Sequence, residues 1–112
     1  MEITAFSKSI RISPRKLRPI TEAVKGMPAT LALDRLQFLN KFGRPVIVKL
    51  IKSAIANGVN NLKLEAQNLK IKNIIVNEGT RMKRQAKGRK TTAGRGIIHK
   101  RMSHIKVILT TD

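Results

Sequence analysis

From Gly79 to Thr111 the chain runs without a single acidic residue. Ten basic side chains lie in that stretch: Arg81, Lys83, Arg84, Lys87, Arg89, Lys90, Arg95, Lys100, Arg101 and Lys106. Between Gly79 and Gly96 the only larger apolar side chain is Met82, so this half cannot bury itself. Strand-like runs flank it, Leu69–Asn77 before and Ile97–Thr110 after. A basic, glycine-punctuated insert between two strands is expected to form a long β-hairpin arm that lies against phosphate. The rest of the chain is then the body that holds the arm. A disordered basic segment at 81–101 is the alternative, and the β-patterned flanks weigh against it.

Charge points to the same kind of partner for the body. The 112 residues carry 24 Lys plus Arg against 6 Asp plus Glu, a formal net charge of +18. That charge divides evenly, +9 in residues 1–78 and +9 in residues 79–112. Self-repulsion on this scale is best offset by a polyanion, and a nucleic acid that wraps both parts fits it. A membrane surface is the competing polyanion, but no segment approaches the roughly 18–20 apolar residues of a span. Met1-Glu2-Ile3-Thr4 lacks the charge and apolar pattern of a signal peptide.

The length suits one domain, 1–112, with 80–96 as the distal part of the arm. With three Phe and no Trp or Tyr, stacking of bases on aromatics is not expected to be the main binding mode. The lack of cysteine removes disulfides, thiolate metal sites and thiol nucleophiles together. The six acids, at 2, 22, 34, 65, 78 and 112, show no grouping suited to acid–base or metal chemistry. An RNA-processing enzyme is therefore disfavoured, and no cofactor is expected. His99 and His104 read as surface or hydrogen-bonding residues, since no Cys or nearby acid could complete a metal site. Gly88, Gly94 and Gly96 imitate a phosphate-cradling loop, but no strand–loop–helix context with a following Lys-Ser/Thr supports it.

The periodicities give an α+β order. Ile3–Ile10 alternates weakly as a strand. Ser13-Pro14 starts a helix, with Ser as cap and Pro at the first position; Leu17, Ile20 and Val24 recur at helical spacing and Gly26 ends it. A short second helix is expected after Thr30 as cap, with Leu33, Leu36 and Leu39 facing inward. The third helix has Pro45 in its first turn and Ile47, Leu50, Ile51, Ala54, Ile55 and Gly58 on one face. Asn57-Gly58 and Asn60-Asn61 are expected to mark its end and the turn that follows. In the next strand the apolar phase shifts from Leu69 and Ile71 to Ile74 and Val76, as a bulge at Asn73 would produce. The final strand alternates through Ile105, Val107 and Leu109, with Ile108 out of phase. The fold class expected is α+β: a small three-helix body packed on an antiparallel sheet, with a long extended basic β-hairpin. Measured from Ile74 to Lys106, that hairpin would reach about 45 Å at ~3.3 Å per residue. A free ribbon of that kind is marginal in water and needs a surface to order it.

The candidate RNA contacts are Arg11, Arg15, Lys16, Arg18, Lys49, Lys52, Arg81, Lys83, Arg84, Lys87, Arg89, Lys90, Arg95, Lys100 and Arg101. Guanidinium forks and ammonium point charges both suit phosphate oxygens, and Lys83, Arg84, Arg89, Arg95 and Arg101 lead the set. Arg15, Lys16 and Arg18 could equally be a solvated helix face, and so could Lys49 and Lys52. A DNA-architectural protein is the remaining alternative, but residues 85–96 hold no apolar wedge for a minor groove.

Seven short pieces occur in order along the chain: Ile12-Ser13-Pro14-Arg15-Lys16-Leu17-Arg18, Lys25-Gly26, Ala32-Leu33-Asp34, Ser53-Ala54-Ile55-Ala56-Asn57, Asn77-Glu78-Gly79, Met82-Lys83-Arg84 and Ser103-His104-Ile105. In this the chain resembles the bacterial-type large-subunit ribosomal protein L twenty-two family, over nearly its whole length. That family usually has an Arg-Ala-x-Gly-Arg type element about ten residues before Ser-His-Ile. Here Gln85-Ala86-Lys87-Gly88-Arg89 lies further away and Gly94-Arg95-Gly96 takes the nearer position. The resemblance implies a body on the outer surface of the large subunit near the polypeptide exit. It also implies a hairpin threading inward through ribosomal RNA to line the nascent-chain tunnel, beside another tunnel protein. Several domains of ribosomal RNA, neighbouring large-subunit proteins and the nascent peptide would be its partners. A role in subunit assembly and no enzymatic activity are implied as well. The expected location is the cytoplasmic ribosome of a bacterium, or the ribosome of an organelle that encodes the chain.

Overall fold

The computed structural model describes residues 2–85 and 97–111. Three strands, β1 (Glu2–Ile10), β2 (Leu69–Glu78) and β5 (Ser103–Thr111), form an antiparallel sheet in the order β1-β5-β2. Three helices, α1 (Pro14–Val24), α2 (Ala29–Gln37) and α3 (Arg44–Leu62), complete the body. A separate two-stranded ribbon, β3 (Met82–Gln85) with β4 (Ile97–Lys100), forms the base of the arm. The α+β architecture expected from the periodicities is the one found.

Among the described residues, the buried hydrophobic cluster consists of Ile, Leu, Val and Ala. The central strand β5 turns Ser103, Ile105, Val107 and Leu109 to the buried face, as strict alternation requires. From β2 come Leu69, Ile71, Ile74 and Val76; the register slips between Ile71 and Asn73, which is the bulge expected there. The helices contribute Leu17, Ile20 and Val24, then Ala29, Ala32 and Leu36, then Ile47, Leu50, Ile51 and Ala54.

Ser13 and Pro14 begin α1 as expected, although the Ser13 side chain makes no capping bond. Pro19 lies inside α1 and deprives it of one backbone bond, at a typical cost of ~3 kcal/mol. Burial of Leu17, Ile20, Thr21 and Val24 holds the helix through it. Gly26 ends the run with φ +81° and donates its N–H to the Ile71 carbonyl (3.0 Å). In return Ile71 donates to the Met27 carbonyl (2.8 Å), so the helix exit is tied to β2.

Three expectations need correction. The second helix is capped by Pro28, so Thr30 stands within its first turn. Pro has no N–H to leave unsatisfied, and it already pairs with Lys70 of β2. The third helix does not stop at Asn57-Gly58 but runs on to Leu62. Gly58 is buried there, and an added Cβ would lie 2.9 Å from Ile3 Cδ1 and 3.3 Å from Leu69 Cδ1. Close seating of the helix on the sheet thus overrides the local preference of Asn-Gly for a turn. The end comes at Lys63, in the left-handed region with φ 56°, where the Lys63 and Leu64 N–H groups both return to the Gly58 carbonyl. Lastly, the hairpin is jointed. Pairing of β2 with β5 ends at Glu78–Ser103, and pairing of β3 with β4 begins at Met82–Lys100. Among the described residues, one backbone bond spans the gap, from the Gly79 N–H to the Met102 carbonyl (2.7 Å). The distal arm expected at 80–96 falls, from residue 86 on, outside the described residues.

Candidate nucleic-acid interface

Arg11 lies on the bend between β1 and α1, and Arg15 and Lys16 follow in the first turn of α1; all three are exposed. They stand where Ser13 turns the chain onto the sheet, close to the joint of the arm. Ser103, fully buried at that joint, donates its hydroxyl to the Ile12 carbonyl (2.5 Å). This bond pins the Arg11–Ser13 bend to the first residue of β5, immediately after Arg101 and Met102. Two regions some ninety positions apart are thereby fixed side by side. Arg11, Lys16 and Arg101 consequently line one recess of about 330 Å³, with Ser13, Phe42 and His99. No acid lines it.

Arg18 and Arg81 have protein partners. The Arg18 guanidinium donates to the Val76 carbonyl (3.3 Å), fastening α1 to β2. Arg81 donates to both carboxylate oxygens of Glu78 (3.0 Å each) across the joint. Exposed pairs of this kind contribute ~0–1 kcal/mol. Lys83 and Arg84 on β3 and Lys100 on β4 are exposed. The Arg84 guanidinium donates to the Lys83 carbonyl (2.9 Å) and lies 3.8 Å from the Met82 sulfur. Lys49 and Lys52 are exposed on α3, with Lys49 beside Phe6 and Ser53 in a second recess. Lys87, Arg89, Lys90 and Arg95 lie outside the described residues.

Few of these charges are neutralised within the protein. Among the described residues the ion pairs are Arg81–Glu78 and Lys72–Glu2. The Lys72 ammonium, by its hydrogen bond and its charge, holds the Glu2 carboxyl below the usual carboxylate range. Among the described residues, no group of three or more His, Cys, Asp or Glu could hold a metal. Nor is any helix there long and apolar enough to cross a membrane. His104 behaves as a hydrogen-bonding residue: its Nδ1 accepts from the Ser9 N–H (3.0 Å), and its ring lies 6.3 Å from Phe6.

The structure leaves all three aromatic rings at the surface. Phe38 and Phe42 are 87% and 84% exposed, and Phe6 is half exposed with the Lys8 ammonium 5.6 Å from its ring centre. Lys41, outside the candidate set, lines a further recess with Lys16, Pro19, Phe42 and Gly43. The available signal was position. Phe42 falls in the Asn40-Lys41-Phe42-Gly43 connection, off the inward helical stripes, so it was free to face outward.

Residues 5–110 match the family described as Ribosomal protein L22p/L17e. A protein named "Large ribosomal subunit protein uL22" from Lawsonia intracellularis is 42% identical over 113 residues, covering 98% of this chain and 96% of its own. Proteins of the same name from Fusobacterium nucleatum and a Phytoplasma strain are each 40% identical. The first covers 100% of this chain and 99% of its own; the second covers 96% and 82%. The chain belongs to the ribosomal protein L22p/L17e family, as a bacterial-type, non-enzymatic protein of the large subunit of the cytoplasmic ribosome.

Proposed function

We propose that the chain binds large-subunit ribosomal RNA through its body and its arm together. The arm would reach inward through the RNA to line the nascent-peptide exit tunnel, and binding would support subunit assembly. What carries this reading is the arm. The Cα radius of gyration is 17.4 Å and the principal extents are 61 × 27 × 17 Å. A compact chain of this length would have a radius near ~13 Å. Among the described residues, every member of the aliphatic core lies at or before Val76 or at or after Ile105. The ribbon thus adds length and charge without adding core, and RNA is the surface able to bury it.

The contacts proposed fall in two groups. Arg11, Lys16 and Arg101, with Arg15 nearby, would hold phosphate at the joint. Lys83, Arg84 and Lys100 would hold it along the ribbon, with Lys87, Arg89, Lys90 and Arg95 beyond. Lys49 and Lys52 would touch a separate stretch of RNA, which fits contact with several domains. Arg18 and Arg81 would add less, since protein acceptors already share their guanidinium groups. Neighbouring large-subunit proteins and the nascent peptide would be the remaining partners.

Sedimentation of the tagged chain tests the reading. It should travel with large subunits in low salt and be released only by high salt. If it sediments free of subunits in low salt, the proposal is wrong.

A further inference from the structure

Phe42 stands in the turn between α2 and α3 with 84% of its surface exposed. The turn is ordered: Lys41 donates to the Leu39 carbonyl (3.0 Å) and Arg44 to the Lys41 carbonyl (3.2 Å). Gly43 presses its backbone onto α1, where an added Cβ would lie 2.7 Å from Leu17 Cδ2 and 3.1 Å from Ile20 Cδ1. The backbone beside Phe42 is therefore seated on the core, while the ring is held away from it. Its exposure is a consequence of the packing.

What surrounds the ring is specific in chemistry. Recesses of about 330 and 360 Å³ open along it, at the low end of the ~300–1,000 Å³ of small-molecule clefts. One brings Arg11, Lys16, His99 and Arg101 to Phe42; the other shares Lys16 and adds Lys41. Neither is lined by an acid. A bare aromatic face among unneutralised cations suits a ligand with a flat apolar surface and a negative charge a few ångströms apart. An unpaired nucleotide has that form, whereas a base inside a duplex keeps its faces covered.

We propose that the recess formed by Arg11, Lys16, Phe42, His99 and Arg101 is a subsite for one unpaired RNA nucleotide. The base stacks on Phe42, and Arg11, Lys16 and Arg101 hold the flanking phosphates. This rests on the RNA-binding reading above and adds a base-dependent contact to it. Because the residues come from the β1–α1 bend and the first turn of α1, the α2–α3 turn, and β4 with the joint that follows it, one bound nucleotide would clamp the arm to the body.

The test uses the full chain and two RNA stem–loops that differ at one position. One carries a bulged adenosine; the other carries an abasic residue there, with the same number of phosphates. Stacking of a base on an aromatic side chain is worth ~1–3 kcal/mol, roughly a 5- to 150-fold preference for the adenosine form. Phe42→Leu keeps an apolar side chain on an exposed site and should abolish the preference, leaving the salt slope unchanged. Lys16→Gln should keep the preference and reduce the slope by about 0.7. Equal binding of both stem–loops, unaffected by Phe42→Leu but still steeply salt-dependent, would overturn the subsite and leave RNA binding intact. Weak binding of both, without salt dependence, would overturn RNA binding and the subsite with it.

Discussion

Excision of Met82–Lys100 should separate the arm's share of RNA binding from the folding of the body. The cut removes β3, β4 and everything between them. It leaves Gly79-Thr80-Arg81 joined to Arg101-Met102, with the Gly79–Met102 hydrogen bond (2.7 Å) closing the new turn. Three residues between the bonded pair lie within the usual 2–5 of hairpin loops, as an order-of-magnitude guide. None of the core residues is touched. The unfolding free energy in urea, followed by circular dichroism, should stay within ~0.5 kcal/mol of the full chain, as for surface changes generally. Binding should change greatly. Seven of the 24 bases and no acid leave, so the net charge falls from +18 to +11. With ~0.7–0.9 of salt slope per phosphate contact, the slope of RNA affinity against salt should flatten by at most about five to six. Filter binding to ribosomal RNA fragments over a salt series measures it. A loss of more than ~1 kcal/mol of stability would show that the arm belongs to the core. An unaltered slope would show that the arm does not meet phosphate.

Other consequences are narrower. Replacing Lys83 and Arg84 together by Ala should weaken RNA binding and lower the salt slope by roughly one to two, with unfolding unchanged; an unaltered slope would remove the ribbon base from the interface. Gly43→Ala should destabilise the fold by ~1–3 kcal/mol, because the new methyl meets Leu17 and Ile20, both almost fully buried; a neutral result in urea unfolding would mean that α1 yields easily there. Glu2 should titrate below an ordinary carboxylate when followed by NMR, and Lys72→Met should move it back up towards the usual range. Since the folded-state pKa is the lowered one, the contribution of this pair is present above the unfolded pKa and is lost as pH falls through the folded value.

The sequence carried the helical stripes and strand alternations well, because each registers directly which side faces the core. Leu17, Ile20 and Val24 on α1, and Ile105, Val107 and Leu109 on β5, are buried where their spacing puts them. Even the Asn73 bulge left a trace as a change of phase. The errors arose where tertiary packing outweighed a local preference. Gly58 looks like a helix stop until Ile3 and Leu69 are seen to need the room. The jointed arm looks continuous because Gly79–Arg81 and Arg101–Met102 differ little in composition from the ribbon around them. Strand breaks of this kind depend on cross-strand bonding, which a one-dimensional pattern does not record.

The candidate interface was legible as charge and illegible as shape. Individual bases could be named because Lys and Arg without nearby acids have few roles inside a small fold. Their grouping follows from Ser103, a residue with no charge and little hydrophobicity. Its buried hydroxyl holds the Ile12 carbonyl and so brings Arg11 and Lys16 against Arg101. The three Phe are placed by the same packing. The core is filled by branched aliphatics and Ala, which pack a thin layer between one sheet and three helices without a ring. All three phenyl groups are left at the surface, where scarcity no longer argues against a role. For Phe42, the direction in which the ring leaves the fold is settled by Gly43, whose backbone is seated against Leu17 and Ile20.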